Sequence, residues 1–231
     1  MDTSNPDLAA TVDSVIRSRK TVRAFKPDPV SRAQVLEIID VARTAPSTFN
    51  TQPWGLHVLT GEPRRRLGEA IVNAHFSNTV DYYGAIPKDA PAEVLARQDD
   101  FGRRYYAALG IDRSDLPARS RQTARNFVFF DAPVGLIVTI DSRLTKHSWL
   151  DCGLFLQNII IAAEARGLAT IAQVSFVRYQ ATIVDVLRLQ PNESVVCGVS
   201  LGFPDHESSL NRLDMPREPV DRFTRWQGFD E

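Results

Sequence analysis

Two short segments carry most of the side chains able to do chemistry. The first, Arg17-Ser18-Arg19-Lys20-Thr21-Val22-Arg23-Ala24-Phe25, sets four cations beside hydroxyl groups. In an extended stretch alternate side chains point the same way, so Arg19, Thr21 and Arg23 can share one face. Two guanidiniums and a hydroxyl on one face make a grip for a phosphate, because each guanidinium offers paired, charge-assisted hydrogen bonds. The competing reading is a solvated basic run. The second segment is Ala45-Pro46-Ser47-Thr48-Phe49-Asn50-Thr51-Gln52-Pro53-Trp54. Its two prolines stiffen it and its hydroxyls and amides supply donors and acceptors, which suits the edge of a flat heterocycle bearing carbonyls and ring nitrogens. The competing reading is an ordinary polar loop with Trp54 as a core anchor.

These segments need a frame. Leu8, Val12 and Ile16 stand four apart and predict a helix over residues 7–18. Ser31 is a candidate N-cap for a second helix whose inner face is Val35, Ile38, Ile39 and Ala42, ending before Pro46. Residues 55–60 read as a strand, and residues 64–74 as a helix. From 77 to 125 the chain is polar and interrupted by Pro87, Pro91 and Pro117, which predicts an excursion of short helices. Residues 133–141 hold the nearly unbroken run Val134, Leu136, Ile137, Val138, Ile140, the mark of a strand buried on both faces. A long helix is expected over 150–166 with Gly167 just past its end, a short strand at 169–172, a helix near 177–187, and a strong strand at 194–201. The remainder, about 204–231, reads as an irregular C-terminal extension. Helices alternating with few strands predict an α+β fold: one domain over 1–231, built on a central mixed β-sheet flanked by helices.

Composition narrows the functional classes. The chain has 231 residues, 43% hydrophobic and 24% charged, with a formal net charge of −1, which gives no global attraction for nucleic acid or an acidic membrane. The two cysteines, Cys152 and Cys197, and the four histidines fall in no metal-ligand spacing, and no metal is expected. The start of the chain lacks the pattern of a signal peptide, and the apolar stretch 154–163 is short and broken by Gln157 and Asn158. A cytoplasmic protein is expected, with neither membrane nor nucleic acid as partner. No two glycines stand at G-x-G spacing, which argues against the dinucleotide-binding fingerprint and the P-loop. Gly198-Val199-Ser200-Leu201-Gly202 fits the nucleophile elbow of α/β-hydrolases. That elbow needs a helix directly after the serine, whereas Phe203-Pro204-Asp205 follows here, so a serine hydrolase using Ser200 is a remote alternative.

The basic stretch followed by A-P-S-x-x-N-x-Q-P-W resembles the nitroreductase family of flavoproteins. The likeness continues through Arg125 to Pro133, through Gly167-Leu168-Ala169-Thr170 with Gln173, through Gly198 to Asp205, and through Asn211 to Pro219. It spans about residues 17–228 and is nearest to the branch of nitrobenzene and nitrobenzoate reductases. A departure is Leu213-Asp214-Met215-Pro216, where that branch often carries a basic residue before the tail arginine, Arg217.

The resemblance implies an intertwined homodimer with FMN at the interface. It implies that Arg19, Lys20, Thr21 and Arg23 contact FMN from one subunit, Arg19 and Arg217 holding the phosphate and Arg23 lying near N1 and the pyrimidine carbonyl. Pro46, Ser47, Thr48, Asn50 and Gln52 would reach the same flavin from the other subunit. The Gln173-Val174 backbone would lie beside N5, and Arg125 or Asn126 near the ring edge. The chemistry would belong to the flavin, with no catalytic side chain. NADH or NADPH would reduce it, and a small aromatic, nitroaromatic or quinone-like acceptor would oxidise it in a ping-pong cycle. Enone reduction, dehalogenation, flavin supply, or a flavin-binding regulatory or storage role without turnover stand as alternatives on the same scaffold. The acceptor pocket is expected from the 77–125 excursion, including Phe101, Tyr105 and Tyr106.

Overall fold

The computed structural model describes residues 5–77 and 86–229. Helix α1 (Pro6–Ser18) starts at Asn5, whose side chain accepts from the amides of Asp7 and Leu8, and α2 (Arg32–Ala42) starts at Ser31 in a full capping box with Gln34. Strand β1 (Trp54–Leu59) leads into α3 (Gly61–Phe76). The described part of the excursion holds α4 (Ala92–Ala108) and α5 (Leu116–Ala124). Residues 78–85, at its start, lie outside the described residues. Then follow β2 (Val134–Asp141), α6 (Lys146–Glu164), β3 (Ala169–Gln173), α7 (Gln180–Leu187), β4 (Glu193–Gly202) and the short α8 (Val220–Phe223). Three expectations shift: α6 begins four residues earlier than 150, α4 is longer than a short helix, and a 3-10 turn over Val174–Tyr179 precedes α7. No helix among the described residues is long and apolar enough to cross a membrane.

The fold is α+β, and the strands run in the order β1-β2-β4-β3. Every ladder between the four strands is antiparallel, with Trp54 opposite Ile140, Val134 opposite Leu201 and Ala169 opposite Gly202. The expected mixed character is confined to an isolated parallel bridge, Thr21 to Thr170, that lays the basic segment along the outer edge of β3. An unbroken apolar run reports burial on two faces and carries no information about strand direction. Both faces of β2 are indeed covered. Val134, Leu136 and Val138 meet α2 and α6, while Ile137 meets α3, α7 and the rings of Phe127, Phe129 and Phe176.

Two glycines make that aromatic layer possible. A Cβ on Gly135 would stand 2.7 Å from the Phe129 ring, and one on Gly198 would stand 2.6 Å from the Phe176 ring. Phe129, Phe130 and Asp131 take φ of 57°, 50° and 61°, three successive left-handed residues without a glycine. Such conformations cost about 1 kcal/mol or more each and persist only where packing over-determines them. Phe129 and Phe130 are almost wholly buried, which supplies that packing.

Candidate functional site

The basic segment leaves α1 at Arg19 and runs extended past β3, where the Val22 amide donates to the Thr170 carbonyl at 3.2 Å. Val22 is buried, while Arg19, Lys20, Thr21 and Arg23 all line one cavity of about 430 Å³. The tail closes the same cavity through Leu210, Leu213, Asp214, Met215 and Arg217. Arg217 is delivered there by two anchors on α4. Arg97 pairs with Glu218 at 3.0 Å, and Ser209 donates to the Ala108 carbonyl at 3.1 Å. Among the described residues neither Arg19, Lys20 nor Arg217 has a carboxylate partner, although the exposed Asp214 borders them. Three unpaired cations and the Thr21 hydroxyl in one concavity fit a dianionic phosphate, since like charges gathered without a counter-ion repel until an anion joins them.

Arg23 is held differently. Its amide donates to Asn211 Oδ1 at 2.8 Å, and Asn211 Nδ2 donates to the carbonyls of Ala24 and Asp205 at 2.8 Å, which locks the segment to the tail. Its guanidinium stands 5.3 Å from the Phe101 ring centre and 5.0 Å from that of Tyr105. Burial pushes its pKa below the usual arginine value, opposed by the charge interaction with Tyr105. Tyr105 is only 7% exposed, so it offers no open wall to an acceptor in this chain. Phe101 does line a second cavity, of about 600 Å³, that shares Met215 and Arg217 with the first.

The segment 46–52 lies elsewhere. Ser47 to Gln52 forms a tight loop in which Phe49, Asn50 and Gln52 take φ of 51°, 58° and 46°. Asn tolerates that region, whereas Phe and Gln must be held in it. Ser47 does part of the holding. Its carbonyl accepts from the Asn50 amide at 2.9 Å, and its Oγ accepts from the Gln52 amide at 3.0 Å. The rest comes from Asp151, buried in α6, which accepts from the Thr48 amide at 3.2 Å and the Thr48 hydroxyl at 3.5 Å. Trp54 then anchors the loop by stacking on Phe155 at 4.8 Å. Pro46, Thr48, Asn50 and Gln52 are exposed, and Phe49 is 97% exposed. None of these residues lines the basic cavity.

Gln173 ends β3 and Val174 follows it directly, at the strand edge beside the basic segment. Both ends of the buried Gln173 side chain are engaged. Nε2 donates to the Asn126 carbonyl at 2.7 Å, and Oε1 accepts from the Ser200 hydroxyl at 2.9 Å. What remains for a ligand is backbone, and Val174 opens a 3-10 turn whose first amides lack partners within the turn. Arg125 is paired with Asp131 at 2.7 Å, and Asn126 is tied to Thr123. The G-x-S-x-G serine is therefore a core residue, 0% exposed and still within β4, two residues before its end. Ser200→Ala should lower stability by about 1–3 kcal/mol, because it strands the buried Oε1 of Gln173. Denaturant midpoints read this directly, and wild type and variant should be equally inert towards p-nitrophenyl esters.

Sequence reasoning missed Asp151 and the roles of Asn211 and Glu218. The only sign of Asp151 in the sequence is an acid among the apolar neighbours Trp149, Leu150 and Leu154.

Residues 16–203 match the model of the nitroreductase family. A 4-nitrobenzoate reductase from Pseudomonas putida is 49% identical, over 96% of this chain and 98% of its own length. A nitrobenzene nitroreductase from Ectopseudomonas oleovorans is 39% identical, over 92% of this chain and 95% of its own. Among solved structures, the FMN- and NADPH-dependent nitroreductase NfnB from a Sphigopyxis strain superposes with a TM-score of 0.90 at 32% identity, covering 94% of this chain and 99% of that one. The FMN-dependent NfnB of Mycobacterium smegmatis, in complex with NADPH, gives a TM-score of 0.90 at 30% identity, covering 95% and 99%.

Proposed function

The chain belongs to the nitroreductase family, and on that premise we propose that it is an FMN-dependent oxidoreductase that uses NADH or NADPH to reduce a nitroaromatic or quinone-like acceptor. The observation that carries this reading is the gathering of Arg19, Lys20, Thr21, Arg23 and Arg217 around one cavity with three of the cations unpaired. When bound, FMN would supply the redox chemistry that links the nicotinamide donor to the acceptor.

The protein's part is binding and electrostatics. Arg19 and Arg217 grip the phosphate, with Lys20 and the Thr21 hydroxyl beside them. Arg23 would serve the N1 and pyrimidine-carbonyl side of the flavin, where a fixed positive charge would favour the negative charge that reduction brings. The backbone amide at the Gln173–Val174 junction would serve the flavin's N5, since the Gln173 carboxamide is engaged elsewhere.

Pro46, Ser47, Thr48, Asn50 and Gln52 serve the flavin of a second copy. Their exposure and their absence from this chain's own basic cavity support a homodimer. The exposed apolar stripe Leu8, Val12 and Ile16 on α1 supports the same reading. The two buried cysteines are unpaired, which suits a reducing cytoplasm. Among acceptors, nitroarenes are favoured over enones or halides by the 49% identity to a 4-nitrobenzoate reductase.

Purified protein should be yellow and should bleach anaerobically with NADH or NADPH. Reoxidation by 4-nitrobenzoate or nitrobenzene should then give parallel double-reciprocal lines, because donor and acceptor take turns at one site. A colourless preparation that takes up no FMN overturns the reading. Intersecting lines overturn the alternation alone.

A further inference from the structure

Arg23 enters the basic cavity with two aromatic rings behind it and no carboxylate beside it. Phe101 and Tyr105 stand one helical turn apart on α4 and stack on each other at 5.5 Å with planes 11° apart. The guanidinium lies over both rings. Among the described residues its side chain donates no hydrogen bond and forms no ion pair. Tyr105 is itself fixed: it is buried, and its hydroxyl accepts from Gln122 Nε2 of α5 at 2.7 Å.

Aromatic rings, with no carboxylate among the described residues, hold this half-buried cation. A carboxylate would fix the guanidinium equally well, but it would cancel the charge seen from the cavity. Aromatic faces attract a cation through the ring quadrupole while adding no net charge. The residue that projects its field into the cavity is therefore held in place at full strength. In a site partly shielded from water, such a preorganised charge acts more strongly than a mobile one.

We propose that Phe101 and Tyr105 are positioning residues that hold Arg23 against the pyrimidine side of bound FMN and thereby raise the flavin's reduction potential. The inference rests on the FMN reading above. It gives the α4–α5 excursion a task beyond shaping an acceptor pocket, since both rings and the Gln122 contact come from it. Reduction places negative charge near N1 and O2. A cation held there favours reduced over oxidised flavin, and a cation released from its platform does so less.

The test uses intact, FMN-loaded protein and reads two quantities: affinity for oxidised FMN and midpoint potential. Tyr105→Leu removes the ring, while Tyr105→Phe keeps it and loses only the Gln122 contact. Tyr105→Leu should reduce the preference for reduced over oxidised FMN about tenfold, the scale of a partly desolvated cation–π contact. For a two-electron couple that is about 30 mV downward. Affinity for oxidised FMN should change less than threefold, and Tyr105→Phe should leave the potential in place. Phe101→Leu alters a ring that is 37% exposed, and it should move the potential in the same direction if Tyr105→Leu does not fold. In an Arg23→Ala background at saturating FMN, neither leucine substitution should shift the potential further.

An unchanged potential in both leucine variants overturns the proposal while leaving FMN binding intact. A shift that persists without Arg23 also overturns it, because the rings would then act on the flavin directly. Failure of the wild-type protein to take up FMN defeats the underlying reading instead.

Discussion

Replacing Arg19 by alanine is expected to weaken FMN binding by roughly 10- to 150-fold, the range for losing one charge-assisted hydrogen-bonding group at about 1.5–3 kcal/mol. Arg19 lines the basic cavity, has no carboxylate partner among the described residues, and sits where α1 ends and the extended segment begins. The loss should be specific to the phosphate. Riboflavin, which lacks that group, should bind wild type and Arg19→Ala about equally. Adding Arg217→Ala should deepen the FMN defect by less than the product of the two single effects, because residues that share one anion are coupled. Arg43, paired at the surface with Asp40 at 2.7 Å, serves as a control whose removal should leave FMN affinity unchanged. Quenching of FMN fluorescence on titration reads all of these. An Arg19→Ala protein with wild-type FMN affinity removes the phosphate assignment.

The largest expected stability effect is at Phe176. Its ring is fully buried over Gly198, within 5.7 Å of Phe127 and 5.0 Å of Phe129 between ring centres. Phe176→Ala should cost about 3–5 kcal/mol, the transfer term plus a cavity that rigid neighbours cannot close. A small domain has only about 5–15 kcal/mol of net stability, so this is a large share of it. Phe176 stands two residues after Val174, in the same 3-10 turn. The variant should therefore also loosen the backbone proposed to face the flavin, and thermal unfolding with and without excess FMN separates the two effects. Gly198→Ala approaches the same contact from below, since its Cβ would meet the Phe176 ring. A Phe176→Ala midpoint within 1 kcal/mol of wild type would show that the aromatic layer rearranges freely.

Much of this was readable beforehand, for local reasons. The Ser31 cap, the glycine ending after α6 and the periodicity of α1 are encoded within a few residues, and each element stands close to where the pattern put it. Strand direction is not local. The run at Val134 to Ile140 signalled burial on two faces, but antiparallel pairing depends on which distant strands come alongside. The gathering of Arg19, Thr21 and Arg23 followed from alternation along an extended segment, whereas the arrival of Arg217 depends on Arg97 and Glu218, some 120 positions apart. Tyr105 reads from the sequence as a wall of the acceptor pocket. Its burial beneath Arg23 is a tertiary fact. Ser200 shows the converse, a motif whose residues were all present and whose meaning was decided by a strand continuing where a turn was needed.

The link from Ser200 through Gln173 to Asn126 joins three separate segments by two hydrogen bonds. It also constrains how this sequence can drift. A lineage that loses the hydroxyl at 200 inherits an orphaned amide oxygen at 173, and relieving that by shortening Gln173 would release the Asn126 carbonyl beside the left-handed turn. Each single step is disfavoured although a coordinated triple change need not be. Neighbouring positions such as Ala172 and Val174, whose side chains are exposed, can vary one at a time. The floor of the proposed flavin site is thus expected to change only as a unit, while its exposed surface can vary position by position.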